Sequence, residues 1–230
     1  MNPTEELRVD EGLWTRVDRY ITDTLIPADP PLQAALQSST AAGLPEIQVA
    51  PNQGKLLHLL ARSLGARRIL EIGTLGGYST IWLSRALPPD GRLITLELDP
   101  RHAEVAGANI ARAGLSDKVE IRVGPAIQSL PKIAAENHGH FDLIFIDADK
   151  ATIPEYFTWS LKMSRPGTLI IVDNVVRGGA VIEPKSEDTS VQGVRKLFAM
   201  LAQEPRVTAT ALQTLGSKGY DGLLIALVTS

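Results

Sequence analysis

The stretch RILEIGTLGGYS, residues 68–79, decides the fold. It opens with a short apolar run, Ile69, Leu70 and Ile72, closes that run with Glu71 and Gly73, and resumes a helical pattern at Tyr78 after Gly76 and Gly77. A buried strand, a glycine turn and a helix in that order begin a βα unit. Four more runs of the same kind follow: RLITLEL at 92–98, KVEIRV at 118–123, FDLIFID at 141–147 and TLIIVD at 168–173. Helical patterns near 78–87, 100–113, 126–137 and 153–163 separate them, with Asp99-Pro100 as an N-terminal cap and Gly114 as a C-terminal one. Strands that alternate with helices pair in parallel, because each helix carries the chain back across the sheet.

Working outward, the first 65 residues read as helical. Leu13, Val17, Tyr20, Ile21 and Leu25 recur at helical spacing, a second helix covers 31–42, and Leu56, Leu57, Leu60 and Leu64 mark a third ending at Gly65. A breaker-rich loop, 43–51, lies between the last two and is placed to wall or cover a site. Beyond the fifth strand, a loop over 174–188 and one helix lead to VTATALQT (207–214) and DGLLIALV (221–228). Their short link, LGSKGY, forces antiparallel pairing. The expected fold is α/β and Rossmann-like: one domain over 1–230, with a helical extension at 1–65 and a core at 66–230. The core holds a mostly parallel seven-stranded sheet that ends in an antiparallel hairpin.

Composition narrows the function. At 230 residues and 44% hydrophobic, the chain can bury one sizeable core. With 23 basic and 26 acidic residues, the net charge of -3 gives no field that would recruit nucleic acid or an anionic membrane. An enzyme acting on RNA would need a basic cluster that is missing here. The absence of cysteine excludes disulfides, thiolate metal sites and cysteine nucleophiles, which suits a reducing compartment. The start, MNPTEELRVDEGLW, lacks a signal peptide's basic and apolar regions, and no run reaches the roughly 20 apolar residues of a membrane span. The expectation is a cytoplasmic protein with a small-molecule partner.

In an open α/β sheet, ligands bind at the carboxyl ends of the strands. Here those ends are Glu71 with Gly73, Glu97 with Asp99, Gly124, Asp147 with Asp149, and Asp173 with Asn174. Gly73, Gly76 and Gly77 let backbone approach a ligand, although their spacing is not the G-x-G-x-x-G of a dehydrogenase. A tight turn with no ligand is the bland alternative. Glu97 suits the two hydroxyls of a ribose, or is a solvated strand end. Asp147, Asp173 and Asn174 offer three oxygens to a hard cation, Mg²⁺ before Mn²⁺ or Ca²⁺, and match zinc poorly; otherwise they cap helices or loops. Lys150, three residues after Asp147, is a catalytic candidate or a solvated lysine. The histidines read as structural: His58 and His102 lie in helices, and His138 and His140 precede the fourth strand, at the wrong end of the sheet.

Together these segments resemble the cation-dependent O-methyltransferases, the family of catechol and caffeoyl-CoA O-methyltransferases. The likeness runs from about Ile47 to the C-terminus: LEIGTLGGYS is similar to the cofactor loop, LITLELDP to the ribose strand, GPA at 124–126 to the adenine edge, FIDADK and VDNVV to the metal and base segments, and GYDGLLIALV to the last strand. The resemblance implies S-adenosylmethionine as donor. Glu71, Gly73, Gly77, Tyr78 and Ser79 would form its loop, Glu97 would hold the ribose and Ala126 the adenine, and Ile47 and Val49 would cover it. Asp147 would serve cofactor, metal and catalysis together, Asp173 and Asn174 would complete the metal set, and Lys150 would be the base. The resemblance also implies a homodimer and an aromatic vicinal diol as acceptor. Ile153 and Arg177 depart from the pattern where the acceptor wall is expected. Open alternatives are a different small-molecule acceptor on the same fold, or a non-catalytic nucleoside-binding protein, which would have lost the metal and lysine positions.

Overall fold

The computed structural model describes residues 11–136 and 139–230. Helices α1 (Glu11–Leu25), α2 (Pro30–Ala41) and α3 (Pro51–Ser63) precede strand β1 (Arg68–Ile72). The chain then alternates through α4 (Tyr78–Ser84), β2 (Arg92–Glu97), α5 (Pro100–Arg112), β3 (Val119–Val123), α6 (Ala126–Ala135), β4 (Leu143–Ile146), α7 (Ile153–Lys162) and β5 (Leu169–Asp173). A 3-10 segment (Arg177–Ile182), α8 (Thr189–Leu201) and the hairpin β6 (Val207–Gly216) and β7 (Gly219–Val228) complete it.

The sheet order is β3-β2-β1-β4-β5-β7-β6. The first five strands are parallel, and β7 runs antiparallel to both β5 and β6, as the spacing of the last two strands demands. The hairpin is longer than expected: pairing continues to Gly216 opposite Gly219, so Ser217 and Lys218 alone make the turn. Gly219, at φ 89, takes the left-handed conformation that so tight a return needs. Helix α3 begins at Pro51, five residues before the leucine pattern starts, because proline is at home in a first helical turn. The expected end of α6 at Asn137 lies outside the described residues.

Burial on both faces explains why the central strands read as apolar runs. Ile69, Leu143, Phe145 and Ile171 face one side, against Leu57 and Ala61 of α3, Ile81 of α4 and Ile110 of α5. Their alternates Leu70, Ile72, Ile144, Ile146 and Val172 face the other, against Leu130 of α6, Phe157 of α7 and Val194 of α8. Each such side chain contributes about 1.5–3 kcal/mol on burial, so the strand tips stand on a stiff support.

Helix α1 reverses the usual pattern. Leu13, Val17 and Tyr20, the residues whose spacing predicts the helix, are exposed. The residue it buries is Asp18, which accepts from Asn52 Nδ2 (2.9 Å) and the Ser217 backbone N–H (2.7 Å) and so ties α1 to α3 and the hairpin.

Candidate active site

The strand order turns back between β1 and β4, and a cleft opens over their carboxyl ends. It has a volume of about 830 Å³ and is lined from five strand tips, the 43–51 loop and the start of α8.

On the β1–β3 side, Gly73, Tyr78, Ser79, Glu97 and Ala126 line the cleft, with Ile47 and Val49 on its outer wall. Gly73, at φ 102, is obligatory: a Cβ there would stand 2.0 Å from the Asp147 carbonyl oxygen, so the β1 and β4 tips meet only because it has none. Glu97 Oε2 accepts from the backbone N–H groups of Thr74 (3.1 Å) and Leu75 (2.7 Å), and Oε1 from that of Asp99 (3.0 Å). One carboxylate therefore shapes the glycine turn and presents itself to the cleft.

Two residues expected at the ligand stand behind it. Glu71 is fully buried and accepts from Ser79 Oγ (2.7 Å), Thr95 Oγ1 (2.7 Å) and Thr80 Oγ1. Burial pushes its carboxyl up to about 7 against those three donors, with the Asp147 charge adding to the rise. Gly77 caps α4, and a Cβ on it would meet Ala106 of α5 at 3.3 Å. Both therefore build the turn and do not face the cleft; Ser79 is the link from Glu71 to the lining.

On the β4–β5 side, Asp147, Lys150 and Asn174 line the cleft. Lys150 Nζ donates to Asp147 Oδ1 (2.8 Å). Helix α8 presses on this corner so closely that a Cβ at Gly193 would lie 2.0 Å from the Lys150 carbonyl oxygen. Asp173 is buried just behind, accepting from Gln53 Nε2 (2.8 Å) and from the Asn174 backbone N–H (2.8 Å). Burial and the Asp147 charge push Asp173 up to about 7, opposed by Lys150 and these donors. Asp147 and Asn174 on the cleft and Asp173 just behind them thus stand at adjacent strand tips, with the two carboxylates near enough to feel each other's charge. That donor set fits a hard divalent cation, although no cluster of three His, Cys, Asp or Glu side chains suited to a metal occurs among the described residues.

Several residues enter that sequence reasoning missed. Gln53 reaches Asp173 from α3, across 120 positions, with no local signal. His102 was read as structural, yet it lines the cleft with Nδ1 3.6 Å from Glu97 Oε1. Ile153, expected in the acceptor wall, is fully buried in the core; Tyr156, one turn further along α7, lines the cleft and donates to Asp149. Arg177 does line the cleft. Of the H-G-H pair, His140 is exposed at the far end of the sheet and His138 lies outside the described residues.

A cleft over the switch point of a mostly parallel sheet, with one acid presented at the second tip and paired acids at the fourth and fifth, defines a Rossmann-like enzyme of the nucleoside-binding kind. The family model described as O-methyltransferase matches residues 27–227. A catechol O-methyltransferase of Niastella koreensis is 55% identical over 220 residues, which cover 96% of this chain and all (100%) of that one. The solved O-methyltransferase from Bacillus cereus in complex with SAH has 57% identity and a TM-score of 0.94, covering 95% of this chain and 100% of its own. The O-methyltransferase TomG from Streptomyces achromogenes, involved in tomaymycin synthesis and solved in complex with SAM, has 52% identity and a TM-score of 0.94, with 96% and 99% covered. The chain belongs to the O-methyltransferase family.

Proposed function

We propose that the protein transfers the methyl group of S-adenosylmethionine to one hydroxyl of a small aromatic vicinal diol, assisted by a divalent cation held by Asp147, Asp173 and Asn174. The reaction class and donor follow from family membership. The cation and the acceptor are the further steps: the oxygen donors of Asp147, Asp173 and Asn174 at adjacent strand tips beside Lys150 support the cation, and the relative named catechol O-methyltransferase supports the diol.

When bound, the donor supplies the methyl group and the cation supplies positive charge beside the acceptor oxygen. The chain does the rest. Glu97 accepts hydrogen bonds from the ribose, Tyr78 and Ser79 wall the methionine end, and Ala126 borders the base. In its neutral amine form Lys150 Nζ, anchored on Asp147, is the atom at which the hydroxyl proton is received. The C–O bond forms as the S–C bond breaks, and the stiff strand tips hold donor and acceptor in line. A second hydroxyl adjacent to the first fixes the ring at the same corner.

The test is methyl transfer from labelled donor to matched catechol and phenol pairs, with and without chelator. The diol is expected to have the higher kcat/KM and chelator to stop turnover until Mg²⁺ or Mn²⁺ is restored. Full turnover with metal content shown to be nil, or equal use of monophenols, overturns the reading.

We also infer a homodimer, supported by the exposed Leu13, Val17 and Tyr20 stripe of α1 and by exposed Leu212 and Leu215 on the neighbouring strand β6. Sedimentation giving a monomer at micromolar concentration removes it. Among the described residues no helix is long and apolar enough to cross a membrane.

A further inference from the structure

The tip of β5 carries a cation for which the reaction above has no task. Arg177 lies in the left-handed region at φ 58, followed by Gly178 at φ 61 and Gly179 at φ 91. An arginine adopts that conformation only where its surroundings impose it. Asp221 on β7 does so: its Oδ1 accepts from the backbone N–H groups of Val176, Arg177 and Gly222, each at 2.9 Å. With that oxygen engaged by backbone, Oδ2 stands 3.8 Å from Arg177 Nη1, beyond hydrogen-bonding range. Arg177 Nε is buried and has no hydrogen-bond partner among the described residues, which leaves the terminal nitrogens of the guanidinium to meet a ligand. The side chain is 29% exposed, and it lines the cleft with Asn174, Tyr156 and Ser190. A guanidinium carries five N–H donors in a planar fork and cannot shed its charge. One held this way, with donors to spare, is completed by an anion of matching shape.

The geometry points to an acceptor that carries a carboxylate on the ring, remote from the hydroxyl that receives the methyl group. The Arg177 fork takes the carboxylate while the Asp147, Lys150 and Asn174 corner takes the hydroxyls. A phosphate is the poorer fit, because it calls for several donors, and the nearby start of α8 is already capped, with the Ser190 N–H given to Asp188 Oδ1 at 2.7 Å. This inference rests on the vicinal-diol reading and adds a charge requirement to it.

The experiment compares kcat/KM for 3,4-dihydroxybenzoate and its neutral isostere 3,4-dihydroxybenzamide, with the wild-type chain and with Arg177→Met, Arg177→Gln and Arg177→Lys. The wild type is expected to favour the acid by about tenfold or more, the scale of a hydrogen bond to a charged group. In the Met and Gln variants the ratio falls towards one, chiefly through KM for the acid. Lysine, a point charge without the fork, keeps the sign of the preference and part of its size. Thermal melting identifies which variants are folded, and either neutral variant suffices. A wild type that uses the amide as well as the acid removes the charge requirement alone, as does a folded neutral variant that keeps the preference. Methylation of neither compound sinks the diol reading and this inference with it.

Discussion

The two halves of the cleft share one strand-end geometry and differ in how their charges are settled. On the β1–β3 side each acid takes three donors from within the chain, hydroxyls at Glu71 and backbone N–H groups at Glu97, although burial still pushes Glu71 up to about 7. On the β4–β5 side, Asp173 takes two donors and is pushed up by burial and by Asp147, and Arg177 keeps a buried N–H without a partner among the described residues. An acid already fixed by the chain, as Glu97 is, needs no rearrangement to accept from the proposed ribose when the donor arrives. An unsettled corner is completed by a bound charge, which is where the charge on the acceptor oxygen is stabilised. Substitutions in the two halves are therefore expected to separate binding of the donor from the chemical step.

The largest effect is expected at the unsettled corner. Asp147→Ala or Asp173→Ala is predicted to lower turnover by about a thousandfold or more, since each removes a proposed cation ligand. Donor affinity by calorimetry should largely survive. A variant that loses donor binding and turnover together would show that the halves are not separable. Next, Lys150→Ala should lower the single-turnover rate by about a hundredfold, the lower range for loss of a proton-transfer group, and Lys150→Arg should not restore it. A near wild-type rate in either variant reduces Lys150 to a buttress for Asp147.

The settled half should answer more mildly and in a different quantity. Glu97→Ala is predicted to weaken donor binding by roughly tenfold, from the loss of a charge-assisted hydrogen bond. Because Glu97 also accepts from Thr74 and Leu75, part of that loss belongs to the turn itself. Glu97→Gln, whose one carbonyl oxygen can keep both of those N–H groups while its amide nitrogen cannot accept from the Asp99 N–H, is expected to fall between wild type and alanine. Equal donor affinity in wild type and a folded Glu97→Ala chain takes the residue out of the site.

What the sequence displays follows the same division. Strands buried on both faces must be apolar runs, so each polar residue that ends a run announces a tip; Glu97, Asp147, Asp173 and Asn174 were legible for that reason. Direction was harder to read. Glu71 and Gly77 belong to the right turn but point behind it, and Ile153, expected at the acceptor wall, is buried while Tyr156, three residues further along α7, lines the cleft. The α1 periodicity identifies a helix without saying what covers its apolar stripe. Gln53 and Asp221 were invisible, since each acts on a tip far away in the chain through hydrogen bonds that no local pattern encodes.

The smallest effect is expected at the opposite end of the sheet, which serves as the control for both halves. Asp142 precedes β4 and accepts from the backbone N–H groups of Arg67 (2.8 Å) and Arg68 (3.0 Å) and from Arg165 Nη2 (2.6 Å). Burial pushes its carboxyl up, but these donors and the Arg165 charge outweigh it and hold it below the usual carboxylate range. A folded-state value below the unfolded one means that the stabilisation is present above the unfolded value of about 4 and is lost as pH falls through the folded one. Asp142→Asn keeps one acceptor oxygen and loses the charge, so it should cost about 1–2 kcal/mol at neutral pH and leave kcat/KM and donor affinity at wild-type levels. The gap between the two melting curves should close as pH is lowered through that range. A gap that stays constant down to acid would show that the Asp142 charge contributes nothing to stability, and a loss of activity at neutral pH would mean that strand positions at the two ends of the sheet are coupled more tightly than the stiff core implies.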